Sequence, residues 1–213
     1  GSRMTENSLL GAITLREAAA GRWDREDPEE YGNWPRTVWC DAGQVSGVAV
    51  IWVDPVMFLD KSQPTIRSVM AWSVSYLSGP ENDQAHAFLQ LVSELGGESG
   101  LSIGCESFTV QALNMQKSFL SSPRITAKID YGCWQGVTDW DGVVRRRAVW
   151  WQSPSDALGS ITDQKLRLWN MYTPGADHVR DATRHALLHL RRVRAAGGDA
   201  FRKAFGWDKM WVE

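Results

Sequence analysis

The chain has 213 residues, 43% of them hydrophobic, and a formal net charge of −2 at neutral pH. That is enough apolar material for one sizeable core and too little length for two well-packed domains. No run reaches the ~20 apolar residues of a membrane span. Cys40, Cys105 and Cys133 have neither the density of a disulfide scaffold nor the spacing of a metal finger, so a reduced, cytoplasmic protein is expected.

The opening GSRM reads as an expression scar, and residues 1–36 as that scar plus an N-terminal extension. Within it, 8–22 are expected to form a short helix, and 23–36, with Pro28, Gly32 and Pro35, a loop. The domain proper is placed at 37–213. "TVWC" ending at Asp41, the turn "AGQVS" and the β-branched run "GVAVIWV" predict two strands with a tight connection. Residues 64–75 fit either a strand or a helix. "ENDQAHAFLQLVSELGG" has helical periodicity closed by a glycine pair, so 81–97 is read as a helix. "LSIGCESFTV" predicts a strand that carries Glu106 among apolar neighbours. A helix over "SSPRITAKIDYGCWQG", a strand over "RRRAVWWQSP", a short helix around "SITDQKLRLWN" and a long terminal helix complete the chain. The order of elements predicts an α/β protein with a mixed central sheet flanked by helices.

Charge and aromatic residues are distributed unevenly. "GRWDREDPEEYG" is acidic, whereas Arg145, Arg146 and Arg147 form a basic run, and the C-terminal region carries Arg180, Arg184, Arg191, Arg192, Arg194, Arg202 and Lys203. One basic side suits a phosphate backbone, although such runs also mark ordinary solvated faces. Twelve Trp residues exceed what a core of this size requires, and Trp52, Trp72, Trp150 and Trp151 are candidates for an interface or for stacking on bases.

Three acids stand apart from surface carboxylates. Asp41 ends the first strand, and Glu106 sits in a strand although Glu is poorly suited to one and costly to bury unpaired. Asp181 follows His178 by three residues, which puts both on one helical face. The helix start could account for these groups through its dipole alone. If that face packs against the strand ends, Asp41, Glu106, His178 and Asp181 converge on one pocket. Gathered carboxylates repel unless a cation neutralises them, and hard Mg²⁺ or Mn²⁺ ions fit an oxygen-rich set. Two such ions would serve hydrolysis at phosphorus. Asp54, Asp60, Asp130, Asp139 and Asp141 are expected to be loop or surface acids, and His185 and His189 to be structural.

Taken in order, these blocks resemble the RuvC-like Holliday junction resolvases of the RNase H-like superfamily, bacteriophage forms in particular. "WCDAGQVSGVAVIWVD" is similar to the family's first hairpin, "IGCESF" to its Glu-bearing strand, and the stretch from "WQSP" to "HALLHL" to its last strand and the H-x-x-D-A-x-x-H-A helix. The resemblance covers most of 37–195 and implies an RNase H-like sheet with catalytic, metal-binding positions at Asp41, Glu106, His178 and Asp181. It also implies a homodimer acting on branched DNA. Many relatives carry a Lys after the Gln-x-Pro motif where this chain has Leu158, which moves the expected backbone contact to Lys165, Arg167 or Arg145–Arg147, with Arg180 and Arg184 added by the basic helix. The competing readings are a flap, fork or packaging-type nuclease, and a non-catalytic DNA-binding protein of the same fold. No G-x-x-x-x-G-K-[ST] motor loop is present to favour packaging.

Overall fold

The protein was analysed as a computed structural model, which describes residues 14–16, 34–97, 100–108 and 120–206. Its sheet has six strands: β1 (Thr14–Arg16), β2 (Arg36–Asp41), β3 (Ser46–Val53), β4 (Val69–Leu77), β5 (Leu101–Glu106) and β8 (Val149–Gln152). Their spatial order is β1-β4-β3-β2-β5-β8. The strands β1, β4, β3 and β2 run antiparallel in succession, and β5 and β8 add parallel to β2. A small hairpin, β6 (Val137–Thr138) with β7 (Val144–Arg145), stands outside this sheet. The expected mixed α/β sheet flanked by helices is the architecture found.

The helices are α1 (Pro55–Leu59), α2 (Glu81–Leu95), α3 (Ser121–Gln135), α4 (Pro154–Ser160), α5 (Asp163–Leu168), α6 (Asp177–Ala196) and α7 (Gly198–Phe205). A 3-10 turn at Thr65–Ser68 leads into β4, which resolves the ambiguity over 64–75 in favour of a strand. Alternation along each strand sends side chains to two cores. Val38, Cys40, Val48, Val50, Ile103 and Cys105 meet α2 and α3 on one face. On the other, Trp39, Ala49, Ile51 and Trp72 meet α6 and α7. Both faces are covered, which is why the strands read as continuous apolar runs.

Four expectations need correction. Thr14–Arg16 pair with β4 as a strand, not a helix; the remainder of 8–22 lies outside the described residues, as do 109 and 110 of the Glu106 strand. The strand expected over "RRRAVWWQSP" is confined to Val149–Gln152, because Arg145 belongs to the hairpin. The long terminal helix stops at Gly197, whose φ of 96° suits glycine, and a second helix follows. Trp72 is fully buried and donates from Nε1 to Thr183 Oγ1 at 3.2 Å, so it is a core residue; Trp151 is exposed. No described helix is long and apolar enough to cross a membrane.

Candidate active site at the carboxyl ends of the parallel strands

The parallel strands β2, β5 and β8 end together at Asp41, Glu106 and Gln152, with Cys40 opposite Cys105 and Glu106 opposite Gln152. In open α/β sheets this edge is where ligands gather. Strand alternation puts Asp41 on the α6 side with Trp39, and Glu106 on the same side with Ser102 and Gly104. The start of α6 closes over the edge because Gly47, the partner of Asp41 across the β2–β3 hairpin, has no side chain. A Cβ there would lie 2.1 Å from the His178 backbone. Gly104 plays a similar part, since a Cβ would strike the Trp39 ring at 2.2 Å. That ring crosses β5 and stacks under His185, with centroids 5.6 Å apart and an interplanar angle of 11°.

Helix α6 then lays three imidazoles along the sheet. His178 Nδ1 donates to Asp41 Oδ2 at 2.8 Å, and His185 Nε2 donates to Glu106 Oε2 at 2.8 Å. His189 Nε2 and Ser102 Oγ share a hydrogen bond of 2.8 Å. Gln152 fixes the middle ring: with its amide nitrogen donating to His185 Nδ1 at 3.0 Å, its oxygen accepts from the His189 backbone N–H at 3.3 Å. His185 is therefore held with its proton on Nε2, facing Glu106. His185, expected to be structural, is fully buried and reaches the strand end, where it touches Glu106. His189, fully enclosed, is structural as expected.

The site is crowded with like charge. Burial raises the Asp41 carboxyl above its usual range, and the Glu106 charge adds to the rise, while the bond from His178 opposes it. Burial pushes Asp181 up to about 6, reinforced by the charges of Asp41 and Glu106 and opposed by His185 and His178; Arg184 pairs with the same carboxylate. His178, half-exposed at the mouth, is raised by its bond to Asp41. These cross-influences bring Asp41, Glu106, His178 and Asp181 into one electrostatic unit. Asp177 faces solvent and pairs with Arg180 instead.

Among the described residues, no three His, Cys, Asp or Glu side chains already form a ligand cage. The physical reason is visible in the pairs: two carboxylates are turned onto imidazoles. The donor set nevertheless fits a hard divalent ion, because its oxygens are partly desolvated, mutually repelling and lacking a fixed cation at Asp41 and Glu106.

The expected DNA-contacting cations separate into groups. Arg180 and Arg184 lie on α6 itself: Arg180 Nη1 donates to Thr173 O at 2.8 Å, and Arg184, nearly buried, donates from Nε to Ile161 O at 2.9 Å and also engages Asp163. This guanidinium is buried, unlike the exposed Arg191 and Arg192 of the same helix. Lys165 Nζ donates to Ser160 O at 2.7 Å, and Arg167 lies over the Tyr172 ring at 3.7 Å. The Arg145–Arg147 run is not brought to the carboxylates. Arg145 and Arg147 grip Asp139 beside the start of β2, and Arg146 is exposed over Trp134. Asp139, expected to be a loop or surface acid, lies in the loop of the β6–β7 hairpin and is buried there.

No family model matches the chain, and no curated protein matches it. Among solved structures, it is similar to T. thermophilus RuvC in complex with Holliday junction substrate, with 15% identity over 75% of this chain and 96% of that chain and a TM-score of 0.49.

Proposed function

We propose that the protein is a divalent-metal-dependent, structure-selective DNA endonuclease that resolves Holliday junctions and other branched DNA. The observation that carries the reading is the convergence of Asp41, Glu106 and Asp181, with His178, where the parallel strands end and α6 begins. Burying several carboxylates together is unfavourable for a fold and useful for holding cations. The choice of branched DNA rests on the ordered sequence blocks that resemble the RuvC-like resolvases.

Asp41, Glu106, Asp181 and His178 would hold two Mg²⁺ or Mn²⁺ ions, which supply a water of lowered pKa and neutralise charge on the phosphate and leaving oxygen. The chain's own groups do the positioning. Asp41, most deeply set, is the candidate shared ligand. His178 donates from Nδ1 to Asp41, which leaves Nε2 at the solvent-facing mouth as the atom that would either hold an ion or take a proton. Trp39, Gln152 and His185 form a rigid support that aims Glu106. Lys165, Arg167 and Arg180, on or beside the helices flanking the site, would contact the backbone near the cut, whereas the buried Arg184 would hold Asp181 and Asp163 in place; Arg146 remains available on the other side of the molecule. A homodimer would present two sites to the two symmetric strands of a four-way junction.

The test is cleavage of an end-labelled four-way junction beside linear duplex and a Y-fork, with Mg²⁺ or Mn²⁺ and Asp41→Asn as control. Paired symmetric nicks near the crossover, lost in the variant, are expected. Equal cutting of the fork would replace junction resolution with general branch processing, and no metal-dependent cutting would overturn the reading.

A further inference from the structure

We propose that a basic groove along the C-terminal half of α6 binds phosphate groups of a duplex DNA arm, at a place separate from the carboxylate site. The ligand class rests on the nuclease reading above; the groove itself does not. Its volume is about 460 Å³, and its walls include Lys61, Thr65, Ser160, Arg191, Arg192 and Arg194. Three elements build it: α6, the segment that follows α1, and the end of α4.

Arg194 makes the wall rigid. Its Nε donates to Phe58 O at 3.0 Å, one Nη donates to Thr65 Oγ1 at 3.2 Å, and the other reaches the carbonyls of Asp60 and Gln63. The guanidinium thus ties the 58–65 segment to α6 and fixes Lys61 and Thr65 across from Arg191. Its charge is met by backbone and hydroxyl dipoles, not by a bonded carboxylate. Among the described residues, one acid pairs with any of these four cations: Asp156, 3.4 Å from Arg192, with both side chains about half exposed. Such a pair is weak and exchangeable. Arg191 touches only Ser160 O, at 3.5 Å.

A simpler explanation is that arginines complement the C-terminal end of the helix dipole. That accounts for Arg194 in the last turn, but not for Lys61 on another element or for a concave wall. In a chain of net charge −2, four cations around this groove face two acids, Asp156 on Arg192 and the exposed Asp60, whose carboxyl Arg194 helps to lower, so cations are in local excess. Phosphate is the ligand such a surface fits, through Arg and Lys donors and the Thr65 hydroxyl. From Asp181 to Arg191 is ten residues, or about 15 Å along the helix. That is four to five base-pair rises at about 3.4 Å each, a reach that a DNA arm leaving the reactive site can span.

The test compares the wild type with Lys61→Gln/Arg191→Gln/Arg192→Gln. All three side chains are exposed, Arg194 is left in place, and an unchanged urea midpoint checks folding. Binding to a four-way junction and to linear duplex is measured across a salt series with Ca²⁺ in place of Mg²⁺. The expected result is a slope of log K against log salt shallower by about 2 to 3, with roughly tenfold or greater weakening near 0.1 M salt on both DNAs. Equal slopes would overturn the proposal. Should the wild type bind neither DNA, the nuclease reading falls, and sodium phosphate alone then decides the groove. A rise in Tm that the triple variant lacks would support a phosphate site, whereas equal shifts would overturn it.

Discussion

Strand β2 begins at a buried arginine and ends at a buried aspartate, and these two ends, about 17 Å apart, handle charge in opposite ways. At the first, Asp139 is enclosed with its compensation built in. It accepts from Arg145 at 2.9 Å, from Arg147 at 2.6 and 2.8 Å, and from the Gly97 N–H at 3.0 Å. Arg36 stands beside this cluster, donating to the carbonyls of Trp34, Leu95 and Gly96. Burial and the charge of Arg147 lower Arg36 to about 10, which leaves it protonated. At the second end, Asp41 and Glu106 have imidazoles and each other. Burial is therefore common to both ends and does not mark function. What differs is whether fixed guanidinium charge meets the carboxylate, as at Asp139, or whether the carboxylates meet titratable imidazoles and one another.

The contrast predicts the largest effect at the compensated end. Asp139→Ala leaves Arg147 without a carboxylate beside the buried Arg36, while Arg145 keeps Asp141, a loss of about 3 kcal/mol by urea unfolding. Asp41→Ala should cost far less, because it relieves repulsion. Similar losses at both sites would erase the distinction. Next in size is acid sensitivity at His189, which has no countercharge and which burial drives down to about 3. The unfolded chain takes up a proton below about 6.5 and the folded chain does not. His189 therefore contributes nothing to pH dependence above that value and removes about 1.4 kcal/mol per pH unit as pH falls from there toward 3. Unfolding at pH 7 and pH 4.5 should show His189→Gln losing much less stability than the wild type over that interval. His178, whose shift is opposite in sign, is common to both proteins and drops out of the comparison. Smaller again, Gly47→Ala pushes α6 off the sheet. The expected destabilisation is about 1–3 kcal/mol, with a drop in nicking that exceeds what the unfolded fraction accounts for. An unperturbed variant would mean that the helix start is not held by that close approach.

Much of the second end was readable in the sequence, and less of the first. The strand-end placement of Asp41, the odd setting of Glu106 and the three-residue step from His178 to Asp181 follow from local patterns of period 2 and 3.6. The contact of His185 with Glu106 is not evident from its place two turns beyond His178, yet helix geometry allows it. Seven residues turn a helix by nearly two full circles, so His185 returns to the sheet-facing side. Since α6 runs across the sheet, it arrives over β5 instead of leaving the site. Asp139 does lie in the hairpin loop, but its burial is not written locally, because its partners come from across the hairpin, Arg145 and Arg147, and from Gly97, far away in the chain. Nothing local marks Thr14–Arg16, whose pairing depends on the distant edge of β4. The break before the helix at Gly198–Phe205 is marked in the sequence by the pair Gly197–Gly198 at its start.

The smallest effect bears most directly on the contrast. Asp181 is raised to about 6, so its ionised form is disfavoured in the folded chain. The penalty is absent below about pH 3.8 and complete above pH 6. Asp181→Asn should therefore stabilise the metal-free protein at pH 8, by about 1 kcal/mol once partial exposure of the side chain is allowed for. The gain should vanish at pH 4. Arg184 keeps Asp163 as a partner, so the substitution does not strand its charge. Adding Mn²⁺ should reverse the order, because the wild type gains Tm from an ion that the variant holds less well. If Asp181→Asn were instead destabilising at pH 8 and unresponsive at pH 4, the carboxylate would be serving Arg184 as Asp139 serves Arg145 and Arg147. Both ends of β2 would then follow one rule, and Asp181 would leave the set of candidate ligands.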